Sequence, residues 1–282
     1  MRNPSSSQDT QSADPGSSQQ ALSANPSSAG ARPATPSGQR QAAEVSAEQL
    51  AARVATTRQI LLDAVDKHGN GQAGAAASLV MASSLGAEDM VLTDLVFRAG
   101  LPVDIFTLDT GRLHEQTLRV LARVRETYGR AIRVYFPEAA GVEALVASQG
   151  INGFYESVDA RKACCRVRKV LPLQRALAGR LAWITGLRRE QSPTRAELAA
   201  EAWDADHGLA KWSPLADWSE ADVWAYLRNH KVPYNALHDQ GFLSIGCAPC
   251  TRAVQPGEDA RAGRWWWEHP ETKECGLHVA GH

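Results

Sequence analysis

The chain has 282 residues, of which 44% are apolar and 22% are charged, and its net charge at pH 7 is −1. This length is enough for one large domain or two small ones. No apolar run is long enough to span a bilayer, and the first 30 residues hold no continuous apolar segment of the secretory type. We therefore expect the protein to be neither membrane-spanning nor exported. In a reducing, cytoplasmic compartment its thiols should be free.

Residues 1–42 differ in composition from the rest of the chain and are rich in Ser, Gln, Ala, Pro and Gly. Leu22 is the only Leu, Ile, Val or aromatic residue among the first 40. Such a segment cannot build a hydrophobic core. A transit peptide would be amphipathic and richer in arginine, so we predict a disordered tail.

The remainder alternates helical and extended patterns. Apolar residues at helical spacing begin after Ser46 and predict a helix ending near Gly69. The elements expected after it are a strand over 77–82, a helix to about residue 99, a strand over 103–108, a helix over 113–128, and strands over 132–136 and 181–185. This alternation predicts an α/β fold with a mostly parallel sheet flanked by helices. Because ligands bind at the carboxyl ends of such strands, the loops 83–89, 109–112 and 186–195 should converge.

These loops carry groups that suit an anion. Ser83, Ser84 and the amides around Gly86 precede a helix, where N–H groups favour phosphate or sulfate, although serine before a helix is also an ordinary N-cap. Loop 186–195 holds three arginines, which suit bidentate contacts with oxyanions. From residue 161 to 195 there are ten basic residues against one acid, and this asymmetry predicts an anionic ligand.

Five cysteines fall into three groups. Cys164 and Cys165 are adjacent, Cys247 and Cys250 form a Cys-x-x-Cys pair, and Cys275 stands alone near the C-terminus. Four thiolates suit a [4Fe–4S] cluster, and a fifth, unligated thiolate suits sulfur chemistry. A Cys-x-x-Cys pair also fits structural zinc or a redox dithiol, so the spacing leaves these alternatives open.

The last third of the chain adds a helix start at Ser219 and Asp222 and three consecutive tryptophans from Trp265 to Trp267. Consecutive tryptophans could form a stacking platform for a base. Packing in a core or an interface is the commoner use of tryptophan. We therefore assign these side chains to packing.

Seven segments, in this order, resemble the assimilatory adenylyl-sulfate (APS) reductases of bacteria, the iron–sulfur type of the PAPS/APS reductase family. They read SSLGAEDMVL, LDTGRLHEQT, KACCRVRK, GLRREQSPTR, IGCAPCTRAV, RAGRWWWE and KECGLH. The resemblance spans about residues 46 to 278 and implies an adenine nucleotide alpha hydrolase-like fold, related to the PP-loop pyrophosphatases. It also implies three regions: the tail over 1–42, a nucleotide-binding reductase domain over 43–246, and a segment over 247–282 with the second cysteine pair and a mobile catalytic tail.

The resemblance implies roles for individual residues. Cys275 would be the nucleophile, and Lys169, one helical turn after Cys165, would face the cluster, although a solvated surface lysine is the plainer alternative. The cluster ligands would be Cys164, Cys165, Cys247 and Cys250. The substrate-binding residues would be Ser83, Ser84, Arg195, Arg261 and Arg264 at the phosphosulfate, Asp109, Thr110 and Gly186 near the nucleoside, and His278 beside the nucleophile.

The implied activity is the thioredoxin-dependent reduction of APS to sulfite and AMP, in sulfate assimilation and cysteine biosynthesis. The Cys275 thiolate would attack the sulfate sulfur, AMP would leave, and an S-sulfocysteine would remain. A thioredoxin thiolate would then release sulfite, and its second thiol would resolve the mixed disulfide. The expected partners are APS, AMP and thioredoxin, and we expect binding to neither nucleic acid nor a membrane. Whether the chain forms a homo-oligomer stays open.

Three other interpretations remain at this point. The nearest is reduction of the 3′-phosphorylated substrate PAPS, although the cluster-free PAPS reductases lack the tandem and the Cys-x-x-Cys pair. A PP-loop iron–sulfur enzyme that thiolates tRNA would want a Ser-Gly-Gly-x-Asp-Ser loop, whereas residues 84–89 read SLGAED. A zinc-stabilised binding module would explain four cysteines but not Cys275.

Overall fold

A computed structural model describes residues 45–72, 74–192, 195–269 and 273. The tail predicted over 1–42 lies outside these residues, and the division at residue 246 stays a prediction. Among the described helices, none is both long and apolar enough to cross a bilayer. In chain order the elements are α1 (Ala47–His68), β1 (Leu79–Ala82), α2 (Ala87–Arg98), β2 (Asp104–Leu108), α3 (Glu115–Tyr128), β3 (Arg133–Tyr135), α4 (Ala139–Gln149), α5 (Val158–Cys165), a π-helical turn (Arg166–Val170), α6 (Leu171–Leu177), β4 (Ala182–Ile184), β5 (Glu201–Asp204), β6 (Leu209–Trp212) and α7 (Glu220–Asn229).

The six described strands form one sheet in the order β3-β2-β1-β4-β6-β5. The pairings are parallel except for β5, which runs antiparallel to β6 at the edge. Helices cover both faces, so the predicted fold class is confirmed. The β5–β6 hairpin was not predicted, because its strands have four residues each and β5 is largely exposed.

Strand β1 shows how the core is divided. Leu79 and Met81 point to the face covered by α1, α2, α3 and α7, whereas Val80 points to the face covered by α6. Leu173 and Leu177 of α6 pack on that second face. This two-residue alternation is the ordinary geometry of a strand buried on both sides.

Reciprocal caps set the starts of two helices. Gln49 N donates to Ser46 Oγ at 3.1 Å and Ser46 N donates to Gln49 Oε1 at 3.2 Å, which begins α1. Ser219 and Asp222 make the same exchange at the start of α7, as their spacing indicated. Both pairs satisfy N–H groups that a helix start leaves without an intrahelical partner.

A buried carboxylate ties three helices together. Asp94 of α2 accepts hydrogen bonds from Arg98 Nε, Tyr128 Oη and Tyr226 Oη, each at 2.7 Å. Burial, followed by the hydrogen bond to Asp94, raises the pKa of both tyrosines. The network holds α2 against α3 and α7, and the N-terminus of α2 lies at the carboxyl end of β1.

Candidate active site

The loop that follows β1 is held by its own hydrogen bonds. Ser84 N and Ser84 Oγ both donate to Asp89 Oδ2 at 2.6 Å, and Ser84 Oγ accepts from Gly86 N at 3.3 Å. Ser83 is buried, and its Oγ accepts from Leu85 N at 3.2 Å. The hydroxyl proton of Ser84 is therefore committed to Asp89, and the contacts of Ser83 and Ser84 with substrate stay predictions.

Asp89 also joins this loop to the end of β4. The pKa of Asp89 is raised from 3.8 to about 6, and burial of the carboxyl group is the largest cause. The hydrogen bonds from Ser84 lower this pKa, and the charge of Glu88 raises it. A Cβ on Gly186 would overlap Asp89 Oδ1 and would lie 3.1 Å from the Glu88 Cβ. Only glycine permits this approach, so two of the loops expected to converge do meet here.

Two of the three arginines in loop 186–195 serve ion pairs within the protein. Arg188 is buried, donating from Nε to Glu88 Oε1 and from Nη1 to Glu190 Oε2, both at 2.9 Å. Arg189 pairs with Asp217. The count of basic residues thus overestimates the positive charge available to a ligand, because carboxylates of the protein neutralise Arg188 and Arg189.

Arg195, the third arginine, lies beside another basic side chain. Its Nη1 donates to Gln191 Oε1. The pKa of Lys211 on β6 is lowered mainly by burial and further by the charge of Arg195, while Asp204 opposes the shift. Two cations close together suit a shared anion, and the assignment of Arg195 to the phosphosulfate stays a prediction.

Four of the five cysteines line one cavity, called here the cysteine cavity. Within the described part of the chain, no three His, Cys, Asp or Glu side chains are placed to hold a single metal ion. The thiols thus surround a space instead of meeting at a point. The residues that line it are Cys164, Cys165, Cys247, Cys250, Arg112, Phe154, Arg161, Arg168, Lys169, Pro249 and Trp265.

The tandem cysteines end α5 and precede a π-helical turn. Ser157 caps α5 by accepting from Ala160 N at 3.1 Å. After Cys165 the backbone widens, with Leu171 N donating to the carbonyl five residues earlier. Lys169 was expected on an α-helical turn; it lies on this wider turn and lines the cysteine cavity. That Lys169 faces a cluster stays a prediction.

The second cysteine pair is attached to the loop after β2. Cys247 and Leu113 form an isolated antiparallel bridge, and the amide after Cys247 donates to the Arg112 carbonyl at 2.8 Å. Cys250 N donates to the Cys247 carbonyl at 2.9 Å, closing a tight turn. These contacts bring the second pair to the cavity that the tandem lines.

Residues of loop 109–112 lie at the cysteine cavity and shape their own turn. Thr110 was expected near the nucleoside, but its Oγ1 lies 3.2 Å from Cys247 Sγ, and it is buried. Asp109 accepts from Gly111 N at 2.8 Å, which is a turn geometry. Nucleoside contacts by Asp109 and Thr110 stay predictions.

Three buried N–H groups around the cysteine cavity have no acceptor among the described residues. They are Arg112 Nη1, Arg168 Nε and Trp265 Nε1. Buried donors without a partner are uncommon because each one costs free energy. Their position beside four sulfurs indicates a cavity shaped for an anionic group that carries hydrogen-bond acceptors.

Burial makes two of the thiols weaker acids. It raises the pKa of Cys164, and it raises the pKa of Cys250 to about 12, where Cys247 and Cys165 add to the effect and Lys169 opposes it. Because a metal binds cysteine as the thiolate, ligation at these two positions would have to displace the proton. Four cysteine sulfurs around one cavity are the donor set that an iron–sulfur cluster takes.

Arg261 contacts Lys273, which precedes the predicted nucleophile by two positions in the sequence. Its Nη2 donates to the Lys273 carbonyl at 3.1 Å. Cys275 and His278 lie outside the described residues. Their roles, like that of Arg261 in substrate binding, stay predictions.

Trp265 and Trp267 pack, as expected, whereas Trp266 is 41% exposed. Trp265 also lines the cysteine cavity. Trp265 is buried with the guanidinium carbons of Arg161 and Arg264 each 4.7 Å from its ring centroid. Trp267 lies edge-on to Tyr155, with ring centroids 4.5 Å apart. The Arg264 guanidinium therefore rests on an aromatic ring, and its substrate contact stays a prediction.

Several cavity residues were not predicted as site residues. Helical spacing could have found Arg161 and Arg168, which lie three or four residues from a cysteine of the tandem on either side. Arg112 and Phe154 come from other segments, and their positions depend on tertiary packing that spacing does not show.

Comparisons with known proteins agree with this geometry. The family profile of the phosphoadenosine phosphosulfate reductase domain matches residues 78–253. The adenosine 5′-phosphosulfate reductase of Allochromatium vinosum is 63% identical over 201 residues, covering 71% of this chain and 78% of that protein. The adenosine 5′-phosphosulfate reductase of Burkholderia cepacia is 54% identical over 231 residues, covering 82% and 89%.

Solved structures show the same fold. The phosphoadenylyl-sulfate (PAPS) reductase of Candida auris, in a phosphate complex, matches with a TM-score of 0.59 at 27% identity, covering 74% of this chain and 98% of that one. Yeast FAD synthetase matches with a TM-score of 0.52 at 14% identity, covering 76% and 70%, which shows the fold alone. The adenine nucleotide alpha hydrolase-like fold is thereby confirmed.

Proposed function

Because this chain belongs to the phosphoadenosine phosphosulfate reductase family, and relatives 50–63% identical to it are named adenosine 5′-phosphosulfate reductases, we propose that it reduces APS to sulfite and AMP in sulfate assimilation. It is an oxidoreductase that acts on a sulfur group. The observation that carries the substrate choice is the cysteine cavity, lined by two cysteine pairs that cluster-free PAPS reductases lack. These relatives also speak against tRNA thiolation and a zinc-stabilised binding module.

Cys164, Cys165, Cys247 and Cys250 would hold a [4Fe–4S] cluster. The fit rests on four cysteines that line one cavity and on three buried N–H groups of lining residues that have no acceptor among the described residues. When bound, the cluster would supply a fixed charged centre beside the substrate. Lys169, at the rim of the same cavity, would link that charge to the phosphosulfate.

The main obstacle is charge repulsion, since a thiolate must approach a dianionic substrate. Arg195, Arg261 and Arg264 would surround the phosphosulfate and offset its charge. The loop after β1 would present backbone amides, and Asp89 would hold that loop through Ser84 in one conformation. A preorganised set of donors lowers the barrier because nothing has to reorganise as charge moves.

In each proposed step one bond forms as another breaks. The Cys275 thiolate forms a bond to the sulfate sulfur, the bond from that sulfur to the bridging phosphate oxygen breaks, and AMP leaves with the electron pair. A thiolate of thioredoxin then attacks Cys275 Sγ, and sulfite leaves with the electrons of the S–S bond. The second thioredoxin thiol resolves the mixed disulfide, so thioredoxin is oxidised and the sulfur is reduced by two electrons.

PAPS is the second candidate substrate, since the family profile and the Candida auris structure both carry that name. The 3′-phosphate would need its own cation. Steady-state rates with both nucleotides decide between them, and we expect a higher kcat/KM for APS.

The nucleophile is tested with APS carrying radiolabelled sulfur and with thioredoxin omitted. Wild-type protein should retain label that a thiol reductant releases as sulfite. Cys275→Ser should keep its iron and bind APS, since no cluster ligand is changed, but should retain no label, because a serine hydroxyl without a base is a poor nucleophile. A mutant that becomes labelled or turns over would place the nucleophile elsewhere.

A further inference from the structure

A cavity of about 390 Å³ lies at the end of the sheet opposite the substrate loops. It opens where β2 and β3 begin, at Asp104 and Arg133, whereas the loops 83–89 and 109–112 follow the carboxyl ends of β1 and β2. None of its lining residues has a place in the proposed function. We call it the amino-end cavity, and its wall includes Phe97, Asp104, Ile105, Arg130, Ile132 and Arg133.

Part of this wall is apolar and fixed. Phe97 at the end of α2, Ile105 of β2 and Ile132 are buried, with at most 9% of each residue exposed. All three belong to the core that α2 and α3 cover, so packing holds them in place. The volume falls in the range of about 300–1,000 Å³ that is typical of small-molecule sites. The cavity therefore offers a preformed surface to an apolar group.

Arg130 adds a positive charge to the cavity. Gly129 ends α3 with a φ of 63°, a left-handed conformation that turns the chain, and Arg130 follows it. The Arg130 guanidinium carbon lies 4.4 Å from the ring centroid of Phe97. Within the described part of the chain, Arg130 has no ion pair and no side-chain hydrogen bond. A guanidinium stacked on a ring keeps the N–H donors at its edge free for a carboxylate.

A partly buried ion pair forms another part of the wall. Arg133 lies opposite Phe106 in the sheet, and Asp104, two residues before Phe106, faces the same side. Arg133 Nε donates to Asp104 Oδ2 at 2.9 Å, and the two side chains are 36% and 10% exposed. Asp104 therefore offsets one guanidinium. Two arginines against one aspartate leave the cavity with a net positive charge.

We propose that the amino-end cavity binds a small organic carboxylate with an apolar body, at a site separate from that of the substrate. The carboxylate contacts Arg130, whose planar guanidinium matches it with two parallel N–H donors. The apolar body packs on the wall formed by Phe97, Ile105 and Ile132. An inorganic anion would leave this apolar surface in water, and a neutral apolar molecule would cover part of the Arg130 charge without offsetting it. The proposal does not rest on the proposed function.

The test uses 3-phenylpropionate as the probe, titrated into the full-length protein by calorimetry. We expect a dissociation constant of about 1 mM or lower. Two matched compounds should each bind at least about tenfold more weakly. 3-Phenylpropanamide has nearly the same shape without the charge, and inorganic phosphate has the charge without the apolar body. Saturating AMP should not displace the probe, because the substrate loops lie at the other end of the sheet.

Variants of Arg130 identify the group that binds the carboxylate. Arg130→Gln removes the charge and should weaken probe binding at least about tenfold. Arg130→Lys keeps the charge without the planar fork and should restore part of the affinity. Arg125→Gln is the matched control and should bind the probe like wild type, since Arg125 is exposed in the last turn of α3 and does not line the cavity. Melting temperatures without probe check that each variant is folded.

Amide hydrogen exchange locates the bound probe. Saturating probe should slow exchange over residues 97–105 and 130–133 and leave the loop 83–89 unchanged. The proposal holds if the probe binds there and Arg130→Gln, but not Arg125→Gln, loses affinity. It is wrong if wild type shows no binding at about 10 mM probe, or if the amide or phosphate binds as tightly as the probe. Displacement by AMP, unchanged exchange at the cavity, or wild-type affinity in Arg130→Gln would also overturn it.

Discussion

Gly186→Ala should test how loop 186–195 is packed against the loop after β1. The added Cβ would overlap Asp89 Oδ1 and lie 3.1 Å from the Glu88 Cβ. The backbone of Gly186 is outside the left-handed region, so alanine brings no torsional strain of its own. The carboxylate of Asp89 must therefore move, and Ser84 loses one or both of its 2.6 Å hydrogen bonds.

The magnitude follows from the two ways of relieving the overlap. Overpacking a well-packed site costs about 1–3 kcal/mol, and a hydrogen bond to a charged group is worth about 1.5–3 kcal/mol. The protein adopts the cheaper relief, so we expect a loss of about 1–3 kcal/mol in the free energy of unfolding. The melting temperature should fall by about 2–12 °C, and AMP should bind about tenfold more weakly because the loop after β1 shifts.

A double-mutant cycle with Asp89→Ala identifies the cause. Once the carboxylate is gone, the 3.1 Å approach to the Glu88 Cβ is the remaining tight contact, so Gly186→Ala should then cost less than about 1 kcal/mol more. Gly141→Ala on α4 is the control. Its Cβ would lie 3.5 Å from Val167 Cγ1, an ordinary contact, so this change should be neutral or stabilising. Thermal melts and AMP titrations of the five proteins, the four of the cycle and the control, give the answer. Wild-type stability and AMP affinity in Gly186→Ala would refute the reasoning.

Two further predictions concern the cysteine cavity and the tail. Purified protein should be brown with about four irons per chain. Cys164→Ser or Cys250→Ser should lose iron and activity together, as measured by metal analysis and sulfite production. A colourless, zinc-loaded, active enzyme would contradict this. Deleting residues 1–42 removes almost no large apolar side chains, Met1 and Leu22 aside, so the catalytic rate and melting temperature should barely change. A large loss of either would show that this segment supports the fold.

Periodicity predicted most of the architecture because the buried elements repeat their apolar residues regularly. The first helix was expected between Ser46 and Gly69, and α1 spans Ala47–His68 with Ser46 as its cap. Strand β1 was expected over 77–82 and occupies Leu79–Ala82, buried on both faces. Strand β5 gave no comparable signal, because three of its four residues are exposed and the fourth is only partly buried, so it has no apolar alternation.

The turn after Cys164 and Cys165 shows a different limit of prediction from sequence. An α-helical and a π-helical turn use the same kinds of residue, so spacing alone placed Lys169 one ordinary turn after Cys165. The structure has a π-helical turn there. Such turns are rare and occur frequently at functional sites, and tertiary contacts decide whether one forms.

The excess of basic residues over 161–195 predicted an anionic ligand, but it could not show how many of these residues are paired within the protein. Arg188 is neutralised by Glu88, about a hundred residues away in the chain, and Arg161 by Glu268. No local window could reveal these partners. A buried arginine that is paired with a carboxylate adds little net charge to a site, but it is held rigidly, and breaking the pair is expensive. The basic region thus supplies fewer positive charges to a substrate than its composition indicates, and part of it acts instead to hold the walls of the site in place.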